Sequence, residues 1–189
     1  MTKEEALQKL EDKNLPFEIV KEIYVSFKED QQVVSQIAMN LSLRTSVYDP
    51  SKGKHPIMTE LLIELSNAQD MGARWAVAKN PHTPMEILKK LANDEVNLVR
   101  ALVATNPNTP QEILERLFED EKIVRDGLSG NINAPSHILE QLSKDSDKLV
   151  RLRVAENPST PTHVLQQMCN DPDIDVAKAA QLKLKERNV

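Results

Sequence analysis

The sequence has one cysteine, Cys169, in 189 residues. A single thiol excludes an intramolecular disulfide and any all-cysteine zinc or iron–sulfur site within one chain. Aromatic residues make up 3% of the chain against 40% apolar residues. The core must therefore be aliphatic, built from Leu, Ile, Val and Ala, and such a core suits closely stacked helices better than sheets. There is no basic surplus either: 29 acidic residues face 24 basic ones, for a formal net charge of -5. Phosphate contacts dominate nucleic-acid affinity, so this balance argues against a nucleic-acid binder while leaving room for a local basic stripe. No run of 18 apolar residues occurs, and Met1-Thr-Lys-Glu-Glu opens no signal-peptide core. The expectation is a soluble cytoplasmic protein. No nucleophile–base pair, metal-ligand spacing or glycine-rich cradle is apparent, so neither an enzyme nor a cofactor is expected.

What the chain does have is a repeat. Asn80, Asn106, Asn131 and Asn157 recur in steps of 26, 25 and 26. Pro84, Pro110, Pro135 and Pro161 keep the same steps, and so do Arg74, Arg100, Arg125 and Arg151. Three markers in phase identify an internal repeat, which settles architecture before anything else. Each repeat predicts two helical segments. The first opens at Thr-Pro, with Thr83 or Thr109 as N-cap, Pro at the first helical position, and Glu86 or Glu112 completing a capping box. Ile87, Leu88 and Leu91 form its apolar stripe, matched by Ile113, Leu114 and Leu117, by Ile138, Leu139 and Leu142, and by Val164, Leu165 and Met168. A turn with Asp94, Asp120, Asp145 or Asp171 follows. The second segment carries Val99, Leu102 and Val103 or Val150 and Val154, and stops at Asn-Pro. It is predicted to be short, either α-helical or partly 3₁₀.

The template extends over about six repeats in residues 14–184, preceded by an amphipathic capping helix in 1–13 (Ala6, Leu7, Leu10) and followed by a tail, 185–189. Charged residues from Lys183 to Arg187 suit a solvent-facing terminal cap. Two departures stand out. Residues 41–57 occupy 17 positions where later repeats use three. The unit from Arg125 to Asn131 is one residue short, contains Gly127 and Gly130, and predicts a break in stacking or curvature.

The pattern V-R-x-x-V-A-x-N-P-x-T-P-x-E-I-L-x-x-L-x-x-D, clearest in residues 73–120, resembles the leucine-rich repeat variant family. The Asp–Arg spacing also resembles HEAT repeats: Asp94 to Arg100 and Asp145 to Arg151 are six apart, Asp120 to Arg125 five, and Ala177 replaces Arg in the last unit. The resemblance implies an all-α, right-handed superhelical solenoid of two-helix repeats. It implies no catalytic activity, because the motif residues are structural and function must be argued from a site.

The candidate residues divide into construction and recognition. Arg74, Arg100, Arg125 and Arg151 could line a groove for phosphates or carboxylates. The favoured reading is a ladder of ion pairs with Asp94, Asp120 and Asp145. Asn40, Asn80, Asn106, Asn131 and Asn157 read as structural caps. His137 and His163 read as solvated or capping residues, His55 and His82 have no partner in register, and Cys169 reads as a structural thiol. Trp75 occupies a position held elsewhere by Ala101, Asp126, Leu152 and Lys178. It serves either recognition or packing under the insertion. The insertion, with Arg44, Tyr48, Lys52, Lys54 and His55, is either functional or a flexible linker.

The expected function is a non-catalytic scaffold that binds another protein or peptide through Trp75, Lys79, Ala101, Thr105, Asp126, Leu152 and Glu156 with part of the insertion. The alternative is a nucleic-acid-binding, HEAT-like protein, resembling DNA glycosylases of that type, with Arg74 and Trp75 at the centre of a basic face.

Overall fold

Proline sets where most first helices begin. The computed structural model describes residues 1–45 and 55–187. Its helices are, in chain order, α1 (Lys3–Leu10), α2 (Phe17–Phe27), α3 (Gln31–Leu43), α4 (Pro56–Leu65), α5 (Met71–Lys79), α6 (Met85–Leu91) and α7 (Asn97–Thr105). There follow α8 (Gln111–Leu117), α9 (Lys122–Ser129), α10 (Ser136–Leu142), α11 (Lys148–Glu156), α12 (Thr162–Met168) and α13 (Ile174–Arg187). No strand occurs among the described residues, so the chain is all-α. Two compact units divide it, residues 1–99 and 100–189, with the boundary inside α7.

Pro16, Pro84, Pro110, Pro135 and Pro161 are themselves the N-caps of α2, α6, α8, α10 and α12, with ψ between 139° and 146°. A ring-locked φ with extended ψ holds the chain out of the helix until the next residue. The expected capping box at Thr83–Glu86 and Thr109–Glu112 therefore does not form, since these N-caps make no side-chain bond. The threonine hydroxyls turn the other way. Thr83, Thr109 and Thr160 each donate through Oγ1 to the carbonyl six residues earlier, on Val77, Val103 and Val154, at 2.6 Å. They close the preceding helix rather than open the next. A capping box does form at α1, between Thr2 and Glu5.

The second helices are regular α-helices, and α5, α7 and α11 have nine residues against seven in α6, α8, α10 and α12. Of the two forms expected for these segments, they take the α-helical one. Ala and Val supply much of their buried face, including Ala73, Ala76, Val77 and Ala78 in α5 and Val150, Val154 and Ala155 in α11. Small side chains let second helices of neighbouring repeats approach closely, α3 on α5 in the first unit and α9 on α11 and α11 on α13 in the second. Leu102, expected in the core, is half-buried.

Short helices have many unpaired terminal carbonyls. The buried asparagines answer them. Asn157 Nδ2 donates to the Ser129 and Asn131 carbonyls at 2.8 and 2.9 Å, and Asn131 Nδ2 to those of Ala104 and Asn106 at 2.7 and 3.0 Å. Their Oδ1 atoms accept the N–H two residues on, at Ser159 and Asn133. One side chain thus shapes its own turn and seals the end of the previous second helix. A second row lies beside it: Asn133 Nδ2 donates to Pro107 O at 2.6 Å, and Ser159 Oγ to Ile132 O. After the last repeat Arg187 takes over, donating to Pro158 O at 2.6 Å and Thr160 O at 2.7 Å. The charged tail is thus partly tied down.

The same bonds redefine the N-terminal helix. Asn40 Nδ2 donates to Leu10 O and Asp12 O at 2.7 and 3.0 Å, as Asn131 does to the end of α7. Asp12 Oδ1 accepts Asn14 N–H, and Leu15 N–H bonds to Asp12 O, the pattern of Asn80, His82 and Thr83. So α1 is the second helix of a leading half-repeat, with Asp12 in the asparagine's place. The insertion is also narrower than residues 41–57: α3 continues to Leu43 and α4 starts at Pro56.

The glycines near 127 do not open a gap. A Cβ on Gly127 would lie 2.5 Å from Ala101 O and 2.8 Å from Thr105 Oγ1. Glycine here lets α9 approach α7 more closely than any side chain permits. Within this unit both Arg125 and Asn131 keep the register of their equivalents, so the expected break in stacking is not found. We expect Gly127→Ala to destabilise the fold by about 1–3 kcal/mol through overpacking. Asn157→Ala should cost about as much by leaving two buried carbonyls unpaired. Urea unfolding followed by circular dichroism measures both.

Candidate functional site

An exposed arginine row would be a ready anion groove, so its pairing comes first. Arg74 Nε donates to Asp94 Oδ2 at 2.7 Å and Nη2 to Oδ1 at 3.1 Å. In the second unit the same fork joins Arg100 to Asp120 at 2.7 and 2.8 Å, and Arg151 to Asp171 at 2.8 and 3.0 Å. Arg125 Nε reaches Asp145 at 2.7 Å. Each arginine meets the aspartate of the next repeat, 20 residues on. Its remaining amine caps its own turn: Arg74 Nη1 donates to the Ala68 and Gln69 carbonyls, and Arg151 Nη1 to Asp145 O. Rigid forks of this kind suit carboxylates bidentately. The side chains are largely shielded, with 11% and 5% exposure for Arg74 and Asp94 and 13% and 6% for Arg151 and Asp171.

These pairs shift the titrations. The hydrogen bond from Arg100 holds the Asp120 carboxyl below the ordinary carboxylate range, and Arg151 does the same for Asp171. At Asp145 burial pushes upward, but Arg125 and the Asp147 N–H together leave it lowered. The aspartate hydrogen bonds raise Arg74, Arg100 and Arg151.

The proposed recognition residues fall into separate patches. In the first unit Trp75 is half-buried on α5, with Lys79 Nζ 5.1 Å from its ring centroid, a cation–π pair one helical turn apart. Arg44 turns inward rather than toward a partner. Its Nε donates to Asn40 Oδ1 at 2.8 Å and its guanidinium sits 4.6 Å from the Phe17 ring. Burial pushes Arg44 down from its ordinary value. His55 stacks on the same ring at 4.5 Å and caps α4 by accepting Ile57 N–H. Tyr48, Lys52 and Lys54 lie outside the described residues.

In the second unit Glu156 and Thr105 are exposed, Leu152 is half-buried, and Asp126 accepts from Arg153 Nε at 2.9 Å. Ala101 is buried, contrary to its expected place on the surface, because α9 packs against its backbone at Gly127.

The periodic reading missed a set of exposed aliphatics. Leu98, Ile123 and Leu149 are 42%, 36% and 49% exposed, each two residues before a ladder arginine. In α13 that register position is Asp175, and the neighbouring Ile174 is 63% exposed. Their signal was available: an apolar residue recurring one turn before the Trp75 position, on the side opposite the Val and Ala core.

The remaining candidates are ordinary. His137 and His163 are exposed and face Glu115 and Glu140, at 3.0 and 3.8 Å. Among the described residues no group of three or more His, Cys, Asp or Glu side chains could hold a metal ion, and no helix is long and apolar enough to cross a membrane.

The family model for the leucine rich repeat variant matches residues 98–121. The chain carries a leucine-rich repeat variant unit. The match takes in Arg100 and Asp120, which pair across the repeat boundary, with Asn106, Thr109 and Pro110 of the turn between them. A solved structure described as a leucine-rich repeat variant with a novel repetitive protein structural motif is similar at 22% identity, over 95% of this chain and 80% of that one, with a TM-score of 0.36. No curated protein matches. The leucine-rich repeat variant assignment thus rests on the matched unit and its hydrogen bonds.

Removing one member of a shielded ion pair leaves a lone charge, whereas removing both does not. Arg151→Met should lower stability by about 3 kcal/mol, and Arg151→Val with Asp171→Ala by distinctly less, measured by urea unfolding at pH 7. The lowered aspartates give the sign of the pH dependence. Their stabilisation is fully present above the unfolded carboxyl value, about 4, and is lost as pH falls through the folded values. The urea midpoint should therefore fall below about pH 4, less steeply in the double variant.

Proposed function

We propose that the chain is a non-catalytic scaffold that binds another protein through exposed positions of its second helices. The observation that carries this reading is the recurrence of Leu98, Ile123 and Leu149 as exposed aliphatics two residues before a ladder arginine, while the adjacent Val99, Val124 and Val150 are buried. Exposed apolar side chains repeated at one register are the form a protein-contact surface takes. In the first unit Trp75 with Lys79 adds an aromatic of the type that anchors interfaces. The pairing of the ladder arginines with aspartates weakens the nucleic-acid reading, since phosphate binding needs cations without an internal partner.

Affinity capture with crosslinking, comparing wild type with Leu149→Asp plus Ile123→Asp and with Trp75→Ala, tests the surface. Partners should be lost from at least one variant while its thermal midpoint stays within a few degrees. Retention of every partner by both would remove the proposal. Labelled single- and double-stranded DNA should show no salt-sensitive binding near about 50 mM salt.

A further inference from the structure

The arginine ladder has a register position at which both partners are missing. Each ladder arginine lies six residues before a buried asparagine: Arg74 before Asn80, Arg100 before Asn106, Arg125 before Asn131 and Arg151 before Asn157. Six before Asn40 stands Val34. Each ladder aspartate lies three residues after the last core residue of a first helix, as Asp94 follows Leu91 and Asp171 follows Met168. Three after Leu65 stands Ala68. Valine and alanine thus replace arginine and aspartate together, and no lone buried charge remains.

The space is not filled. A cavity of about 290 Å³ opens there within the first unit, and Val34 and Ala68 both line it. Lys28 and Glu29, which also line it, hold the register of Ala68 and Gln69, whose carbonyls accept Arg74 Nη1 at 2.9 and 2.8 Å. Glu29, Glu64 and Asp70 line the cavity against one cation, Lys28. Asp70 is engaged already, accepting from Ala73 N–H and Ser35 Oγ. Tyr24 forms a wall, its hydroxyl 3.5 Å from Glu64 Oε2. Burial first, then Glu64 and Glu29, push its phenol up, which reports a negative field at this wall.

We propose that this cavity receives the guanidinium of an arginine side chain from a partner polypeptide, which supplies the missing member of the ladder. The chemistry is that of the existing rungs: backbone carbonyls for one amine, a carboxylate for the other, and here an aromatic ring beside them. Glu64 and Glu29 take the role that aspartate has elsewhere. Four positions of the same framework already hold a guanidinium, so the framework itself names the ligand. From the scaffold reading the proposal takes only the source of the arginine; the site is distinct from the exposed aliphatics.

The test is a titration of the full chain with N-acetyl-L-arginine amide, followed by ¹⁵N–¹H correlation spectra, with the neutral citrulline analogue as control. Saturable shifts are expected in residues 28–34 and 64–70, with the citrulline analogue about tenfold or more weaker. Glu29→Gln with Glu64→Gln, both on exposed residues, should weaken arginine about fivefold. Val34→Arg with Ala68→Asp, which installs the rung within the chain, should abolish the shifts. Equal response to arginine and citrulline, no saturation, or unchanged arginine binding in the glutamine variant overturns the proposal. The glutamine variant decides the matter if the filled-rung variant does not fold. Because the probe is a small molecule, its failure leaves capture of partners by the second helices untouched, and the loss of that capture leaves this titration untouched.

Discussion

The structure depends on what happens to the last carbonyls of very short helices. A helix of seven to nine residues leaves about half of its backbone acceptors without an internal partner. In a long helix that cost is confined to the ends; here the ends are most of the helix. Burying such termini against a neighbour is tolerable only if every carbonyl is met. The buried asparagines and threonines do this. Asn157 meets two carbonyls across the repeat boundary, and Thr160 meets one within its own repeat. The recurring residues are recurring for that reason, and the period follows from it.

The charged ladder is a second layer on the same frame. It joins neighbours on the opposite side of the turn, where the first helix ends and the second begins. Its members need each other more than the fold needs them. Val34 and Ala68 show that the chain accepts loss of a whole rung, whereas none of the four ladder arginines lacks its aspartate. That is the behaviour expected of partly buried ion pairs, which specify geometry at little net gain and become costly when halved. The asparagine row shows no such indulgence. Even the leading half-repeat keeps an Asx turn, with Asp12 accepting Asn14 N–H.

Much of the fold was legible because periodicity reports burial. Leu88, Leu91 and their equivalents read as core and are core. Hydrogen-bond direction was less legible. Thr-Pro reads as an N-cap followed by a first helical residue, yet Pro84 is the cap and Thr83 closes the helix behind it. Local sequence cannot separate these, because the deciding acceptor, Val77 O, depends on how the turn closes. Ala101 read as surface because its position varies; it is buried because Gly127 brings a helix onto it. The candidate surface was half legible. Trp75 stood out as a lone tryptophan, while the exposed leucines and isoleucines did not, since an aliphatic residue in an aliphatic repeat carries no contrast of its own.

Contrast appears once the bonding scheme is known. With a partner assigned to each framework residue, every position can be asked whether the scheme uses it. Arg44 looked like part of a basic loop, and its guanidinium goes to Asn40 and Phe17. Leu149 carried no contrast within an aliphatic repeat, and it is exposed and unused by the scheme. Val34 looked like an unremarked apolar residue, and the scheme marks it as an omission with a cavity beside it. In a repeat protein the framework is therefore an internal reference: residues that satisfy it explain the fold, and residues that depart from it while remaining exposed, or leaving space, are where binding has to be sought.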